Sequence, residues 1–124
     1  MTKGEVVDVE QVREAAVEPY ADGVPVLRVV DVVGRRSGES RPVVLNVTEL
    51  DGRQYVCAPD GRGWVRNLHA AGYCRVERDG PQDRDTVRRV RPVGDEEAQP
   101  VLRAQTANFP DGRATTVLRL EFLD

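Results

Sequence analysis

Apolar and polar positions alternate with a period close to two through much of the chain, a pattern that predicts half-buried strands. Val26 to Val33 is the densest stretch: Leu27, Val29, Val30, Val32 and Val33 form a β-branched-rich run interrupted by Arg28 and Asp31. Pro42 to Leu50 reads as a second strand, antiparallel to the first because the intervening turn is too short for a parallel crossover. Asp51-Gly52 is a hairpin signal and leads into a third strand over Gln54 to Ala58. Tyr73 to Arg78 is a fourth strand, turned by Asp79-Gly80-Pro81 into a fifth over Asp85 to Val93. In this fifth strand Val87, Val90 and Val93 are apolar and Arg84, Arg88, Arg89 and Arg91 are not, which predicts a bulge or an edge position. Thr115 to Phe122 closes the chain as a sixth strand.

The remaining segments carry helical signals. Asp8 is placed to cap a helix over about residues 8–18, with Gln11 three positions on as in a capping box and Pro19 as the stop. Trp64 to Ala71 is a short helix with Trp64 and Leu68 on one face. Asp95-Glu96-Glu97 suits the start of a helix, and Pro100 predicts a broken or two-part helix up to about Asn108. Six antiparallel strands with small helices at three junctions make a mainly β fold, a small or half-open barrel, in one domain over residues 1–124.

Composition narrows the partners. A net charge of -3 with 31% charged residues excludes a broadly basic surface, so nucleic-acid binding through counterion release is not expected and any anion site is local. Neither a signal peptide nor an apolar run long enough for a bilayer is present, so no integral membrane segment and a cytoplasmic location are expected. Cys57 and Cys74 lie outside any CxxC or His-rich setting, which favours buried reduced thiols over a metal site.

Two stretches carry candidate chemistry. Gly34-Arg35-Arg36-Ser37-Gly38-Glu39-Ser40-Arg41 puts three arginines and two glycines into eight positions between two strands. Glycines allow close backbone approach, and guanidinium forks hold carboxylate or phosphate oxygens in pairs. Taken alone, such a turn is more often a solvated loop. Trp64-Val65-Arg66-Asn67-Leu68 places an indole beside an amide at a helix start, able to form the wall and a polar contact of a pocket for a flat ligand. His69 reads as a surface residue, and Ser37 lacks any nucleophile-elbow motif.

With both stretches present, the sequence resembles the deazaflavin-dependent nitroreductase family, whose fold is an FMN-binding-type split β-barrel. The resemblance runs over about residues 26–122 and includes the hairpin Asp51-Gly52-Arg53-Gln54-Tyr55-Val56, the acidic start of the late helix and Pro100. It implies that Gly34, Arg35, Arg36, Ser37, Gly38 and Arg41 hold the phosphate and acidic tail of an 8-hydroxy-5-deazaflavin coenzyme of the F-420 type. Val44, Leu45 and Asn46 would then run along the ring, with Trp64 and Asn67 completing the pocket. Asp60 and Phe109 fall on the substrate side. The implied chemistry is hydride transfer to an activated alkene, quinone or nitro acceptor, with no metal and a homodimer allowed. FMN is the less favoured cofactor. The alternative is a non-redox member of the fold that binds a small molecule or acts as a biosynthetic cyclase or isomerase.

Overall fold

The computed structural model describes residues 8–59 and 62–123. Six strands form a closed antiparallel barrel in the order β1-β2-β3-β6-β5-β4, with β4 returning to β1. The strands are β1 (Pro25–Val33), β2 (Ser40–Leu50), β3 (Arg53–Ala58), β4 (Tyr73–Val76), β5 (Thr86–Pro92) and β6 (Thr116–Phe122). Three helices accompany them: α1 (Val9–Glu14), α2 (Gly63–Ala71) between β3 and β4, and α3 (Asp95–Asn108) between β5 and β6.

Local chemistry sets the joints. At the β2–β3 hairpin both Asp51 (φ 53°) and Gly52 (φ 78°) are left-handed, the conformation a two-residue connection of twisted strands demands. Gly72 ends α2 at φ 76° and donates its amide to the Leu68 carbonyl at 2.9 Å. Asp8 and Gln11 form the reciprocal capping box at the start of α1, with bonds of 2.8 and 2.9 Å.

The barrel interior holds Val30, Val47, Val56, Val76, Val90, Leu118 and Leu120, and α2 adds Val65 and Leu68 to the same cluster. Helix α3 covers the outside of β3 and β6, where Val101 packs with Tyr55 and Val117. Strand alternation explains the division: Val56 faces in while Tyr55 and Cys57 face α3.

The helix expected over 8–18 ends at Glu14. Arg78 donates to the Val12 and Arg13 carbonyls, and Arg28 takes the Glu18 carbonyl at 2.6 Å, so side chains replace the helical partners and residues from Ala15 on are extended. The expected two-part helix is one continuous helix through Pro100. Proline removes one backbone bond, but buried Val101 and anchors at both ends, Glu97 to Arg119 and Asn108 to the Gly23 carbonyl, hold the helix in one piece.

The edge expected at β5 is absent, because β5 pairs with β4 on one side and β6 on the other. Of its residues Arg88 is fully buried while Val87 is 46% exposed. Arg88 lies on the inward phase with Val90 and meets a set of polar groups at this end of the barrel. It donates to Asp79 and Gln54 and, at 3.2 Å, to the Leu120 carbonyl. Asp79 also accepts from Tyr20, from Thr86 at 2.9 Å and from Arg28 at 3.4 Å. Among the described residues no buried side-chain polar atom lacks a partner, the condition under which buried charge is tolerated.

Candidate functional site

Strand β2 leaves the Gly34–Arg41 turn and runs directly into the wall of a cleft. The turn itself is closed by backbone bonds, from the Gly34 amide to the Glu39 carbonyl and from the Gly38 amide to the Gly34 carbonyl, each 2.9 Å. Gly38 sits at φ 72°, and a Cβ on Gly34 would come within 2.7 Å of the Ser37 hydroxyl. Gly38 is therefore favoured by its left-handed backbone, and Gly34 leaves room for the Ser37 hydroxyl. Ser37 accepts from the Glu39 amide at 3.1 Å, a local role in shaping the loop.

The three arginines of the turn differ. Arg35 is engaged: its backbone amide and its guanidinium both donate to the Asn67 side-chain oxygen, at 3.2 and 2.7 Å. Arg36 is exposed, and among the described residues the Arg41 guanidinium meets Glu39 alone, at 3.9 Å, with the Arg41 and Glu39 side chains both more than two-thirds exposed. Arg41 lies on β2, opposite Val32, and shares its side of the strand with Leu45 rather than with Val44 and Asn46. Two guanidinium groups thus face solvent at the turn while the third fixes the turn to α2.

The cleft lies between β2, the end of β3, the N-terminus of α2 and α3. Val44, Leu45 and Asn46 line it together with Trp64, and the enclosed volume is about 240 Å³. Leu45 is 6% exposed and contributes its side chain to the core, so its share of the wall is backbone. The cleft widens into an adjoining space of about 410 Å³ that shares Asn46, Cys57, Pro59, Arg62 and Gln105 and adds Phe109 and Arg113. Helix α2 ties the parts together: one side of it gives Asn67 to the turn, and its first turn puts Trp64 into the cleft wall.

The structure therefore gathers Val44, Leu45, Asn46, Trp64 and, in the wider part, Phe109 around one cleft, with Arg35 joined to it through Asn67. Arg36, Ser37, Gly38 and Arg41 stay on the turn beside it. Asp60 lies outside the described residues. Lining residues not singled out in the sequence include Cys57, Gln105, Arg62 and Arg113. Cys57 was legible as the outward partner of Val56 on β3, and Gln105 as one turn beyond Val101 on α3. Arg62 and Arg113 sit on loops, where no periodicity marks them. Burial pushes the Cys57 thiol up to about 12, so it is a neutral wall group at physiological pH and not a nucleophile. His69 is exposed on α2.

The comparisons with known proteins fit this geometry. A family model described as F420H(2)-dependent quinone reductase matches residues 4–120. A solved structure described as an F420-H2 dependent reductase is 23% identical, with a TM-score of 0.61 over 77% of this chain and 93% of that one. Another, described as a domain-swapped dimer, is 23% identical with a TM-score of 0.60, covering 77% and 79%. A protein of unknown function from Agrobacterium tumefaciens is 18% identical with a TM-score of 0.59, covering 77% of this chain and 47% of that one. These structural likenesses are likenesses of fold. No curated protein matches the chain. The family model spans nearly the whole of the barrel and its helices, and the chain accordingly belongs to the F420H(2)-dependent quinone reductase family, a family of deazaflavin-dependent oxidoreductases.

Proposed function

We propose that the cleft binds the reduced 8-hydroxy-5-deazaflavin coenzyme and that the protein passes its hydride to a quinone or a related flat acceptor, an activated alkene or a nitro compound. The observation that carries this reading is the Arg35–Asn67 tie, which makes the arginine turn and the Trp64 wall parts of one unit. The donor set suits the coenzyme. Arg36 and Arg41 are available to an acidic tail, Asn46 offers an amide beside the ring, and Trp64 and Val44 form walls that exclude water.

When bound, the reduced coenzyme supplies a hydride, and a proton from solvent completes reduction of a quinone to the quinol. The residues of the chain bind and orient; the difficult step is the cofactor's. Val44 and Leu45 would lie along the ring when it is bound, and Asn67 holds the turn to α2 through Arg35. We also propose a single domain, since the six strands close on one another, and a cytoplasmic location. Among the described residues no helix is long and apolar enough to cross a membrane. A homodimer is proposed with support from the likeness to the structure described as a domain-swapped dimer.

A fluorescence titration with the oxidised deazaflavin coenzyme and with FMN, at low and moderate salt, tests the reading. Saturable binding of the deazaflavin, weakened by salt, is expected. Arg36→Ala should reduce its affinity by about 1.5–3 kcal/mol, the worth of a charge-assisted contact. Absence of saturable binding by either cofactor would leave a non-redox binding protein as the better description.

A further inference from the structure

The wider part of the cleft carries a charge pattern that the coenzyme does not use. Arg62, at the cap position of α2, and Arg113, on the segment leading into β6, both line the 410 Å³ space and are exposed. Among the described residues neither guanidinium is hydrogen-bonded or ion-paired, although the Arg62 carbonyl accepts from the Val65 and Arg66 amides. Some other arginines are tied to carboxylates, Arg13 to Glu77 at 2.8 Å, Arg91 to Glu121 at 3.0 Å and Arg119 to Glu97 at 2.7 Å, while Arg36 and Arg41 of the turn face solvent as Arg62 and Arg113 do. One described carboxylate, Asp111, lines the same space and has a partner of its own, so two guanidinium groups stand there against one described negative charge. Phe109 lines the same space and is 39% exposed, an aromatic ring with an open face.

Two exposed guanidinium groups on one concave wall repel each other and, against the one described carboxylate, leave that wall net positive. An oxyanion placed between them relieves that repulsion and takes paired hydrogen bonds from planar forks. A flat ring beside Phe109 would bury apolar area at the same time. We propose that the preferred acceptor is an anionic quinonoid or aromatic compound, its ring against Phe109 and its charged substituent between Arg62 and Arg113. This substrate class rests on the redox reading of the cleft given above. The reaction balances as before: hydride brings two electrons and one proton, and solvent supplies the second proton of the quinol.

Trp64 is the chain's only tryptophan and lines the adjoining space, so quenching of its fluorescence reports cleft occupancy without any coenzyme. The probes are 1,4-naphthoquinone-2-sulfonate and the neutral 2-methyl-1,4-naphthoquinone. The sulfonate is expected to bind roughly tenfold more tightly at low salt, the advantage shrinking as salt rises. Arg62→Ala and Arg113→Ala, both at exposed positions, should each narrow the ratio between the two quinones, and Arg113→Lys should restore part of it. In turnover with reduced coenzyme the same ratio should appear in KM. Equal affinity for the two quinones, or a sulfonate preference that survives the Arg62→Ala/Arg113→Ala pair, would overturn the proposal. Sulfonate preference without coenzyme binding would instead overturn the cofactor reading and leave anion recognition by the cleft in place.

Discussion

The Asn67 side-chain oxygen accepts two bonds from Arg35, one from its backbone amide at 3.2 Å and one from its guanidinium at 2.7 Å. A residue on the helix that carries Trp64 thereby sets the position of a turn thirty-two residues earlier in the chain. The bond spans two parts of the site that are each weak as binding elements, because an isolated arginine loop is solvated and mobile and an isolated tryptophan lacks an anion partner.

Asn67→Ala should therefore lower coenzyme affinity by about 1–2 kcal/mol while changing the melting temperature little, since the lost bonds lie at the surface. Asn67→Asp should keep the tie through a charged acceptor. Fluorescence titration of the three proteins checks this; equal affinity in the alanine variant would mean that the turn is positioned without Asn67.

Asp79 is fully enclosed between Arg28 and Arg88. Burial by itself would raise its carboxyl, but the Tyr20 hydroxyl, the Arg88 guanidinium and the Thr86 hydroxyl outweigh it and hold the group below the usual carboxylate range. Asp79→Ala would leave two buried guanidinium groups without their shared anion and should cost about 3–5 kcal/mol, read from urea unfolding. Arg88→Leu should cost less, because Arg28 still pairs with the carboxylate. A depressed carboxyl stabilises the fold above its unfolded value and that contribution is lost as pH falls, so acid unfolding should begin at this end of the barrel.

Asp31 behaves in the opposite sense. Burial first, then the neighbouring Glu77 carboxylate, raises it to about 6, against the pull of Arg75 and Arg13. Glu77 is lowered, chiefly by the Arg13 fork that binds it at 2.8 Å and fastens α1 to the barrel. The protonated Asp31 thus donates to a charged Glu77. A raised carboxyl contributes stability that is present at low pH and lost as pH rises through about 6. Thermal melts should show the wild type losing stability from about pH 4 to pH 6 relative to Asp31→Asn, whose neutral amide keeps the donor at every pH. Parallel profiles for the two proteins would refute the shared proton.

Pro100 costs α3 one backbone bond and survives because both ends of the helix are tied down. Pro100→Ala should restore the bond and raise stability by about 1–2 kcal/mol, the helical penalty of proline less the chain entropy it removes on unfolding. Denaturant midpoints with unchanged slope would establish it.

Much of the fold is legible along the chain because strands and turns are local. The period of two, Asp51-Gly52 between β2 and β3 and the Asp8–Gln11 capping box each depend on a few neighbouring residues, and each appears in the structure near its expected place. Of the site, the turn and the tryptophan helix were legible as patterns of residue type. Whether they faced one ligand depended on the Arg35–Asn67 bond, which no local pattern encodes.

Tertiary structure alone decided the rest. Closure of the barrel turned β5 from an expected edge into a doubly paired strand, and that closure put Arg88 inside, where Asp79 of the β4–β5 connection and Gln54 of β3 meet it. The end of α1 is held by Arg78 reaching the Val12 and Arg13 carbonyls from far along the chain, and Arg28 holds the segment beyond it at the Glu18 carbonyl. The cleft formed where β2, β3, α2 and α3 converge, drawing Arg62 and Arg113 from loops without a pattern of their own. Local sequence determines which backbone conformation a segment prefers; the partners of a buried charge or of a cleft wall come from segments distant in sequence, and only packing brings them together.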